Sequence, residues 1–402
     1  MTKVEAELAK GRNISIIDLV QNLIEHAHEI NASDVHIDPV EEEVVVRLRI
    51  DGVLISSFVF PKIIHSEIIS RIKVLAGLRS DVHHTPQDGR FRTNINQGGF
   101  LDVRISVMPT YYGENAVFRI LAKKIENFTL ENLGMRDIDT AIVTKAIHKP
   151  NGMILVTGPT GSGKTTTLYT LIQMLNNSDR CLMTIEDPIE YSIKGIKQIQ
   201  INSETGLSFA KGLRAMLRQD PNIIMVGEIR DEETARIAVN ISLTGHLLLS
   251  TLHTNDSAST LPRLLDMKVD AYLIASTVSI VIAQRLVRKI CPNCIGERKI
   301  SEIDKQKLKE FLSKPEISKI KKLYFGVGCD KCAGTGFKGR IGIFEVMQIN
   351  NQIKDAIVRM SSAREIKNIA IKNGMQTMLE NGLSKAFKGL TTVEEVLRII
   401  HE

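Results

Sequence analysis

The sequence predicts a small α+β domain at residues 1–122 and a doubly wound α/β domain at residues 134–402, joined by a polar connector at 123–133. Three observations support this fold class. The 402 residues are too many for one ordinary domain. Strand signals cluster before the connector, whereas apolar strands alternate with helical stretches after it. A glycine-rich loop also joins the first of these later strands to a helical stretch.

The first domain begins with a helical pattern. Apolar residues at helical spacing predict a helix at residues 14–30. The Asp51-Gly52 pair lies between two apolar runs and predicts a hairpin turn within residues 44–54. Further strands are expected at residues 32–39, 101–107 and 116–120.

The second domain contains four apolar runs separated by helical stretches, which predict a parallel sheet: residues 153–157, 181–185, 223–226 and 247–250. The uncharged run at 271–284 is too short to span a membrane and predicts a buried helix. We expect a four-cysteine insert at 288–342 and a helical subdomain at 343–402. Breaks in that subdomain are expected at Gly374, Gly382 and Gly389.

Composition narrows the classes of function. The formal net charge is +6, aromatic residues make up 4% and there is no tryptophan, which argues against a base-stacking nucleic-acid platform. Residues 1–7 lack the apolar core of a secretory signal, so a cytosolic location is expected. In that reducing compartment, paired cysteines favour a metal site over disulfides.

The glycine-rich loop fits the phosphate-binding pattern G-x-x-x-x-G-K-[ST] without a mismatch. Its glycines let backbone N–H groups surround phosphate oxygens, and the next helix points its positive end at the same anion. Lys164 can then reach the β/γ-phosphates, and the Thr165 hydroxyl can hold Mg²⁺. A chance glycine-rich turn is the alternative. The predicted nucleotide-binding residues are Gly158, Pro159, Thr160, Gly161, Ser162, Gly163, Lys164, Thr165 and Thr166.

Two acidic clusters follow predicted strands, at residues 184–190 and 227–231. Because ligands of parallel sheets lie beyond the carboxyl ends of the strands, both clusters are expected to face the nucleotide. Solvated acidic loops are the alternative. Gly227 stands where a Mg²⁺-binding Asp is usual, so Glu228 is expected to act on Mg²⁺ or on water.

Histidines and arginines supply further candidates. His246 and His253 flank the fourth strand, where either a γ-phosphate sensor or a structural role fits. Arg104 and Arg119 in the first domain suit phosphate oxygens and could close over a γ-phosphate, with ordinary surface salt bridges as the alternative. Three more arginines lie near the second acidic cluster, with surface salt bridges again as the alternative: Arg214, Arg218 and Arg230.

Four of the five cysteines form two C-x-x-C pairs, Cys291 with Cys294 and Cys329 with Cys332. Four thiolates make a closed tetrahedral site without an open position, so the expected zinc is structural. The pairs are further apart than in a typical zinc ribbon, and a redox role is therefore the alternative.

Taken together, these motifs resemble the secretion ATPases of type II secretion and type IV pilus assembly, over nearly the whole chain. Residues 158–167 carry the phosphate loop. Residues 184–190 resemble the family's Asp box, 217–231 its Walker B region and 244–255 its His box. Further matches lie at residues 32–39, 47–52 and 87–90, in the four-cysteine insert and in the C-terminal tail.

The resemblance implies a RecA-like P-loop core, a PAS-like N-terminal domain and a homohexamer that uses ATP, Mg²⁺ and Zn²⁺. It implies that Glu186 activates water, that Glu228 is the Walker B acid and that His253 senses the γ-phosphate. Implied arginine contributors are Arg104 and Arg119 from the N-terminal domain, and Arg214, Arg218 and Arg230 from the core. Implied partners are inner-membrane platform and recruitment proteins at the cytoplasmic face, with no direct nucleic acid.

The sequence departs from the family in two places. Members for secretion or pilus extension usually carry an extra N-terminal domain that docks to a membrane partner, whereas 31 residues precede Ala32 here. Retraction motors usually lack the four-cysteine insert, so its presence favours an assembly or export motor. We therefore expect an ATP-driven motor for protein secretion, pilus assembly or DNA uptake. A DNA-dependent translocase and a non-hydrolysing nucleotide-bound scaffold are the alternatives.

Overall fold

The structure is a computed structural model that describes residues 1–95, 99–121, 128–313, 317–318 and 320–401. Residues 123–127 of the predicted connector therefore lie outside the described residues. The chain divides into two compact units, Met1–Ile125 and Glu126–Glu402. Each unit has its own hydrophobic core and is described by itself.

The first unit is an antiparallel sheet with helices. Its strands are β1 (Ala32–Pro39), β2 (Glu43–Ile50), β3 (Val53–Pro61), β4 (Gln87–Asn94), β5 (Phe100–Thr110) and β6 (Gly113–Leu121). Its helices are α1 (Lys3–Leu8), α2 (Ile16–Glu29) and α3 (His65–Leu75). The strand order is β3-β2-β1-β6-β5-β4, and every neighbouring pair is antiparallel.

Local sequence explains the predicted helix and hairpin of this unit. The Ser15 hydroxyl caps α2 by accepting a hydrogen bond from the Asp18 N–H. One face of α2 is apolar and buried, with Leu19 and Leu23 fully covered. Asp51 and Gly52 have φ values of +49° and +90°, as a tight two-residue hairpin turn requires, so the predicted hairpin is confirmed.

The second unit contains the remaining elements in this order. Its strands are β7 (Gly152–Thr157), β8 (Leu182–Glu186), β9 (Lys197–Gln200), β10 (Ile223–Val226), β11 (Leu247–Leu252), β12 (Val278–Ile290), β13 (Ile295–Lys299), β14 (Lys322–Gly326) and β15 (Phe337–Gln348). Its helices are α4 (Asp137–Ile147), α5 (Lys164–Leu175), α6 (Phe209–Met216), α7 (Glu232–Leu243), α8 (Thr260–Asp266), α9 (Ala271–Thr277), α10 (Glu302–Leu308), α11 (Asn351–Val358), α12 (Ala363–Lys372), α13 (Met378–Phe387) and α14 (Val393–His401).

The main sheet of the second unit has seven strands in the order β15-β12-β7-β11-β10-β8-β9. Strands β12 to β9 along this order are parallel, and β15 is antiparallel to its neighbour β12. All residues of β7, β8, β10 and β11 are buried, because helices cover both faces of a parallel sheet. The structure is thus a mixed α/β fold with a parallel sheet, as predicted. A separate two-stranded sheet pairs β13 with β14.

Two predictions about the second unit were wrong in part. The apolar run 271–284 is a helix only as far as Thr277, and β12 begins at Val278, because the β-branched residues that follow favour a strand. Gly382 does not break the helical subdomain but lies inside α13. A Cβ there would approach Val396 Cγ1 to 2.5 Å, so this glycine lets α14 pack closely. Among the described residues, no helix is both long and apolar enough to cross a bilayer.

Candidate functional site

Most predicted site residues of the second unit follow neighbouring strands at one edge of the sheet. Gly158 follows β7, Glu186 ends β8, Glu228 comes two residues after β10, and His253 follows β11. These strands are parallel and adjacent in the order β7-β11-β10-β8. The carboxyl ends of the strands therefore bring the loop, both glutamates and the histidine to the same edge, where ligands of such sheets lie.

The loop between β7 and α5 needs glycine at two close approaches. A Cβ at Gly158 would lie 2.3 Å from the Gln284 carbonyl oxygen, and one at Gly163 would lie 2.7 Å from Gln284 Nε2. Gln284 is on β12, and its Oε1 accepts a hydrogen bond of 2.6 Å from Thr167 Oγ1 at the first turn of α5. Strand β12 thus holds the loop against the start of the helix.

The loop presents polar groups suited to an anion. Among the described residues, nothing bonds to the buried hydroxyl of Ser162, and such an orphaned donor is costly unless a ligand satisfies it. The loop residues Pro159, Thr160, Gly161 and Thr165 are exposed. Since α5 begins at Lys164, its positive end also faces the loop.

Lys164 lies at the centre of this arrangement. Its Nζ donates to the carbonyl oxygens of Gly158, at 2.8 Å, and Pro159, at 3.0 Å. Burial lowers the pKa of Lys164, and the nearby Glu228 carboxylate opposes that shift. The structure therefore places Lys164 and Glu228, predicted from separate motifs, near enough for their charges to interact.

The Glu228 carboxylate lies among cationic groups. It pairs with the Arg230 guanidinium, and its Oε2 is 3.1 Å from His253 Nε2. Burial would raise the pKa of Glu228, but the hydrogen bond and charge of Arg230, helped by His253, outweigh burial and hold the pKa below its usual value. Arg230 also lies 3.6 Å from Asp187 Oδ2, so it joins the two acidic clusters.

Glu186 has very different surroundings. It is 3% exposed and accepts hydrogen bonds from the Tyr169 hydroxyl, from Thr184 Oγ1 at 2.5 Å and from Gln198 Nε2 at 3.2 Å. Burial first, and then the Glu186 carboxylate, raise the pKa of Tyr169, which keeps this phenol protonated as a donor. Glu186 is thus held in a satisfied network of donors, and the water-activating role predicted for it stays a prediction. Glu190 in the same cluster is exposed.

The two candidate histidines lie at opposite edges of the sheet. His253 is half exposed beside Glu228, at the carboxyl edge. His246 precedes β11, and its carbonyl oxygen accepts a 3.2 Å hydrogen bond from the Gly152 N–H at the start of β7. The γ-phosphate role considered for His246 is therefore not supported, because the amino edge of the sheet lies away from the loop at Gly158.

Two of the three core arginines do not join this group. Arg214 Nη2 pairs with Glu233 Oε1 at 2.6 Å, and Arg218 Nη1 donates to the Arg214 carbonyl oxygen at 3.0 Å. Of these three arginines, Arg230 alone contacts the acidic clusters within the described part of the chain. For Arg214 and Arg218 the structure shows the surface contacts that were the alternative interpretation.

In the first unit, register aligns arginines in a row across the sheet. Arg90, Arg104 and Arg119 lie directly opposite one another on β4, β5 and β6. Asp34 continues the row on β1, with its Oδ1 3.0 Å from Arg119 Nε, and Arg49 follows on β2. Like charges placed directly opposite destabilise a sheet, so a row with one acid for four arginines suits an anionic ligand. Arg49 and Arg90 lie in the matched segments 47–52 and 87–90 but were not predicted as arginine contributors, because only the register brings them into the row.

The four cysteines come together as predicted. Their Sγ atoms all lie within 4.8 Å of one another. Three of the separations are 3.9, 3.8 and 3.7 Å, close to the edge of about 3.8 Å expected for a tetrahedron of sulfurs around Zn²⁺. Cys332 Sγ also accepts hydrogen bonds from the backbone N–H groups of Cys329 and Gly336. These bonds, together with those to the Cys329 and Cys294 side chains, outweigh burial and lower the pKa of the Cys332 thiol. The donor set and spacing therefore fit a tetrahedral metal ion.

Comparison with known proteins agrees with this arrangement. The family model described as "Type II/IV secretion system protein" matches residues 9–398. The chain belongs to this family. It is 45% identical over 402 residues to type II secretion system protein E of Xanthomonas campestris pv. campestris, a match that covers 99% of this chain and 70% of that protein.

Two further matches come from pilus systems. The chain is 46% identical over 380 residues to the type IV pilus assembly ATPase PilB of Thermus thermophilus, covering 94% of this chain and 42% of that longer protein. Among solved structures, it resembles the pilus retraction motor PilT with bound ADP, with a TM-score of 0.61 and 27% identity over 94% of this chain and 95% of that one. The mixed α/β fold is thus that of secretion and pilus ATPases.

Proposed function

We propose that this chain is an ATP-hydrolysing motor that drives assembly of a pilus or pseudopilus, in type II protein secretion or type IV pilus biogenesis. One observation carries the proposal: Lys164 of the glycine-rich loop, Glu228, Arg230 and His253 meet at the carboxyl edge of a parallel sheet. A cation, a carboxylate and a half-exposed histidine beside an anion-binding loop are the groups that phosphoryl transfer uses. The names of the relatives supply the pathway.

In this proposal the second unit is a RecA-like P-loop core. The backbone N–H groups of residues 158–163 and the Ser162 hydroxyl bind phosphate oxygens, and Lys164 turns from the loop carbonyls to the β/γ-phosphates. The Thr165 hydroxyl and Glu228 would hold Mg²⁺, directly or through water. Bound Mg²⁺·ATP supplies the phosphoryl group and the charge that these residues stabilise. His253 senses the γ-phosphate through its contact with Glu228.

Glu190 is our candidate for the group that activates water. Glu186 is buried among three donors, and Asp187 faces Arg230. A carboxylate with a lowered pKa, such as Glu228, is a weak base. Among the described residues, the Glu190 side chain forms no ion pair, and it is exposed. The role first predicted for Glu186 therefore passes to a neighbour in the same loop.

The first unit, for which a PAS-like fold is proposed, contributes Arg104 and Arg119 to the γ-phosphate. The arginine row supports this role, because it concentrates positive charge on one face of the sheet. Transition-state charge in phosphoryl transfer is commonly stabilised by such arginines. Subunits would form a homohexamer, at the cytoplasmic face of the inner membrane, with membrane platform and recruitment proteins as partners.

The four cysteines would bind one structural zinc per chain. The near-tetrahedral sulfur positions support this proposal. Metal analysis of the purified chain should give about one zinc, and Cys294→Ser should release it. Four reduced cysteines without metal would contradict the proposal and favour the alternative redox role.

The central test replaces Lys164. Lys164→Ala should lower the rate of phosphate release from Mg²⁺·ATP by about a hundredfold or more, since it removes the cation nearest the transferred group. Lys145→Ala, at an exposed lysine of α4, is the matched control and should keep wild-type turnover. Unchanged turnover in a folded Lys164→Ala chain would refute the assignment. Stimulation of turnover by DNA would favour the DNA-dependent translocase.

A further inference from the structure

The loop at residues 253–257, which carries His253, is hydrogen-bonded at its start to β7, the strand that leads into the glycine-rich loop. Thr157, the last residue of β7, is buried directly before Gly158. Its Oγ1 accepts a hydrogen bond of 3.0 Å from the Thr254 N–H and donates toward the carbonyl oxygens of Leu252 and Thr254, at 3.0 and 3.1 Å. Thr254, which follows His253, is therefore hydrogen-bonded to Thr157, which directly precedes the glycine-rich loop.

The far end of the same loop is fastened to a buried carboxylate. Glu345 on β15 is 1% exposed. Its Oε1 accepts hydrogen bonds from the Ser257 N–H at 3.0 Å and from Ser257 Oγ at 2.5 Å. Asp256 beside it accepts a 2.9 Å hydrogen bond from Lys367 Nζ, which also lies 3.6 Å from Glu345 Oε2.

This charge cluster joins the loop to the C-terminal helices. Lys367 is on α12, and the N–H of Met378 at the start of α13 donates to Glu345 Oε2 at 3.4 Å. Burial lowers the pKa of Lys367, but Glu345 and Asp256 outweigh burial and raise the pKa above its usual value, so Lys367 stays protonated. Because apolar residues can replace a buried ion pair without loss of stability, packing alone does not account for these charges.

We propose that Glu345 is a positioning residue for ATP hydrolysis: it fixes the loop at residues 253–257 so that His253 stays against Glu228. The inference rests on the proposed function of the site. Within the described residues, the hydrogen bonds and ion pairs of Glu345 do not include His253 or the loop at Gly158, and it acts through Ser257 and the short stretch of backbone that leads back to His253. A change in the C-terminal helices that moves Glu345 or Lys367 would therefore alter the position of His253 relative to Glu228.

The test is a double-mutant cycle on turnover. Glu345→Gln keeps the size of the side chain and removes its charge. We expect kcat to fall about tenfold while the affinity for a fluorescent ATP analogue changes less than about twofold, because positioning affects the transition state more than binding. In a His253→Gln background, Glu345→Gln should add less than about twofold, since it acts through the same histidine. Effects that multiply in full would overturn the inference.

Matched variants separate positioning from general damage. Glu395 is a second buried carboxylate of the C-terminal half, paired with Arg288 and Arg398, and Glu395→Gln should leave kcat unchanged at a temperature where the chain is folded. If Glu345→Gln does not fold, Lys367→Met at the 31% exposed lysine takes its place in the cycle, with an expected loss of about threefold.

The outcomes distinguish this inference from the proposed function. If the wild-type chain releases phosphate and Lys164→Ala does not, the proposed ATPase function is supported, whatever the result of the double-mutant cycle. Full multiplication of the Glu345 and His253 effects then overturns only the role of Glu345. Absence of hydrolysis by the wild-type chain would overturn both.

Discussion

Glu186 and Glu228 lie at the same edge of one sheet, after neighbouring strands, yet their carboxylates have opposite surroundings. Glu186 is buried in a network of neutral donors from a helix and two strands. Glu228 lies between the cationic Arg230 and the half-exposed His253. A carboxylate inside a satisfied neutral network holds structure, whereas one at an opening among cations can meet a metal ion or water.

The reason for the difference lies in the packing of the two strand ends. Gly227 is the next position after β10, and its N–H donates to the Ile185 carbonyl oxygen at 2.8 Å. A Cβ at Gly227 would lie 3.3 Å from the Ile185 carbonyl oxygen, tighter than most Cβ contacts. The acid of this segment comes one position later, at Glu228, and the glycine lets the strand ends approach closely.

Removal of the Glu228 charge should give the largest effect. Glu228→Gln should lower kcat about a hundredfold or more, because the carboxylate acts on Mg²⁺ or its water in the transition state. Steady-state phosphate release measures the loss. Glu233→Gln, which removes an exposed carboxylate paired with Arg214, is the control and should keep normal turnover. Normal turnover in Glu228→Gln would show that catalysis does not need the Glu228 carboxylate. It would then contradict the functional difference between Glu228 and Glu186.

The next largest effect distinguishes Glu190 from Glu186 by the change in kcat when each is replaced by glutamine. Glu190→Gln should lower kcat about a hundredfold as the loss of a general base. Glu186→Gln should lower kcat less than about threefold but reduce the free energy of unfolding by about 1–3 kcal/mol, because its amide meets three donors. Turnover assays and urea unfolding measure the pair. The reverse pattern would restore Glu186 as the base.

The smallest effect concerns pH. Arg230 is the largest of the influences that lower the pKa of Glu228, against burial, which raises it. The carboxylate therefore stays ionised below its ordinary pKa of 4.5, and activity that needs the ionised form is lost only at lower pH. Arg230→Gln should raise this pKa and move the acid limb of the kcat profile to higher pH. An unmoved acid limb would show that Arg230 does not tune Glu228.

Local patterns in the sequence predicted the parts of the site that one short segment builds. The loop around Lys164, the strand before it and the two cysteine pairs each depend on adjacent residues, and the structure brings each of them together. The apolar run at 271–284 was harder, because an apolar run alone does not separate a buried helix from a buried strand.

Relations between distant segments could not be predicted from sequence. The burial of Glu186 depends on Tyr169 and Gln198, which only the packed sheet places beside it. The arginine row needs the strand register that sets Arg90 opposite Arg104. Glu345 belongs to no motif, since a buried carboxylate is recognisable only by the partners that surround it.

A structure of the chain with ADP and Mg²⁺ tests the central claim most directly. We expect the phosphates in the loop at residues 158–165, with Lys164 Nζ bonded to a phosphate oxygen and Glu228 facing the metal ion, while Glu186 remains bonded to Tyr169. A nucleotide bound elsewhere, or a Glu186 side chain released from Tyr169 and turned to the metal ion, would contradict the account.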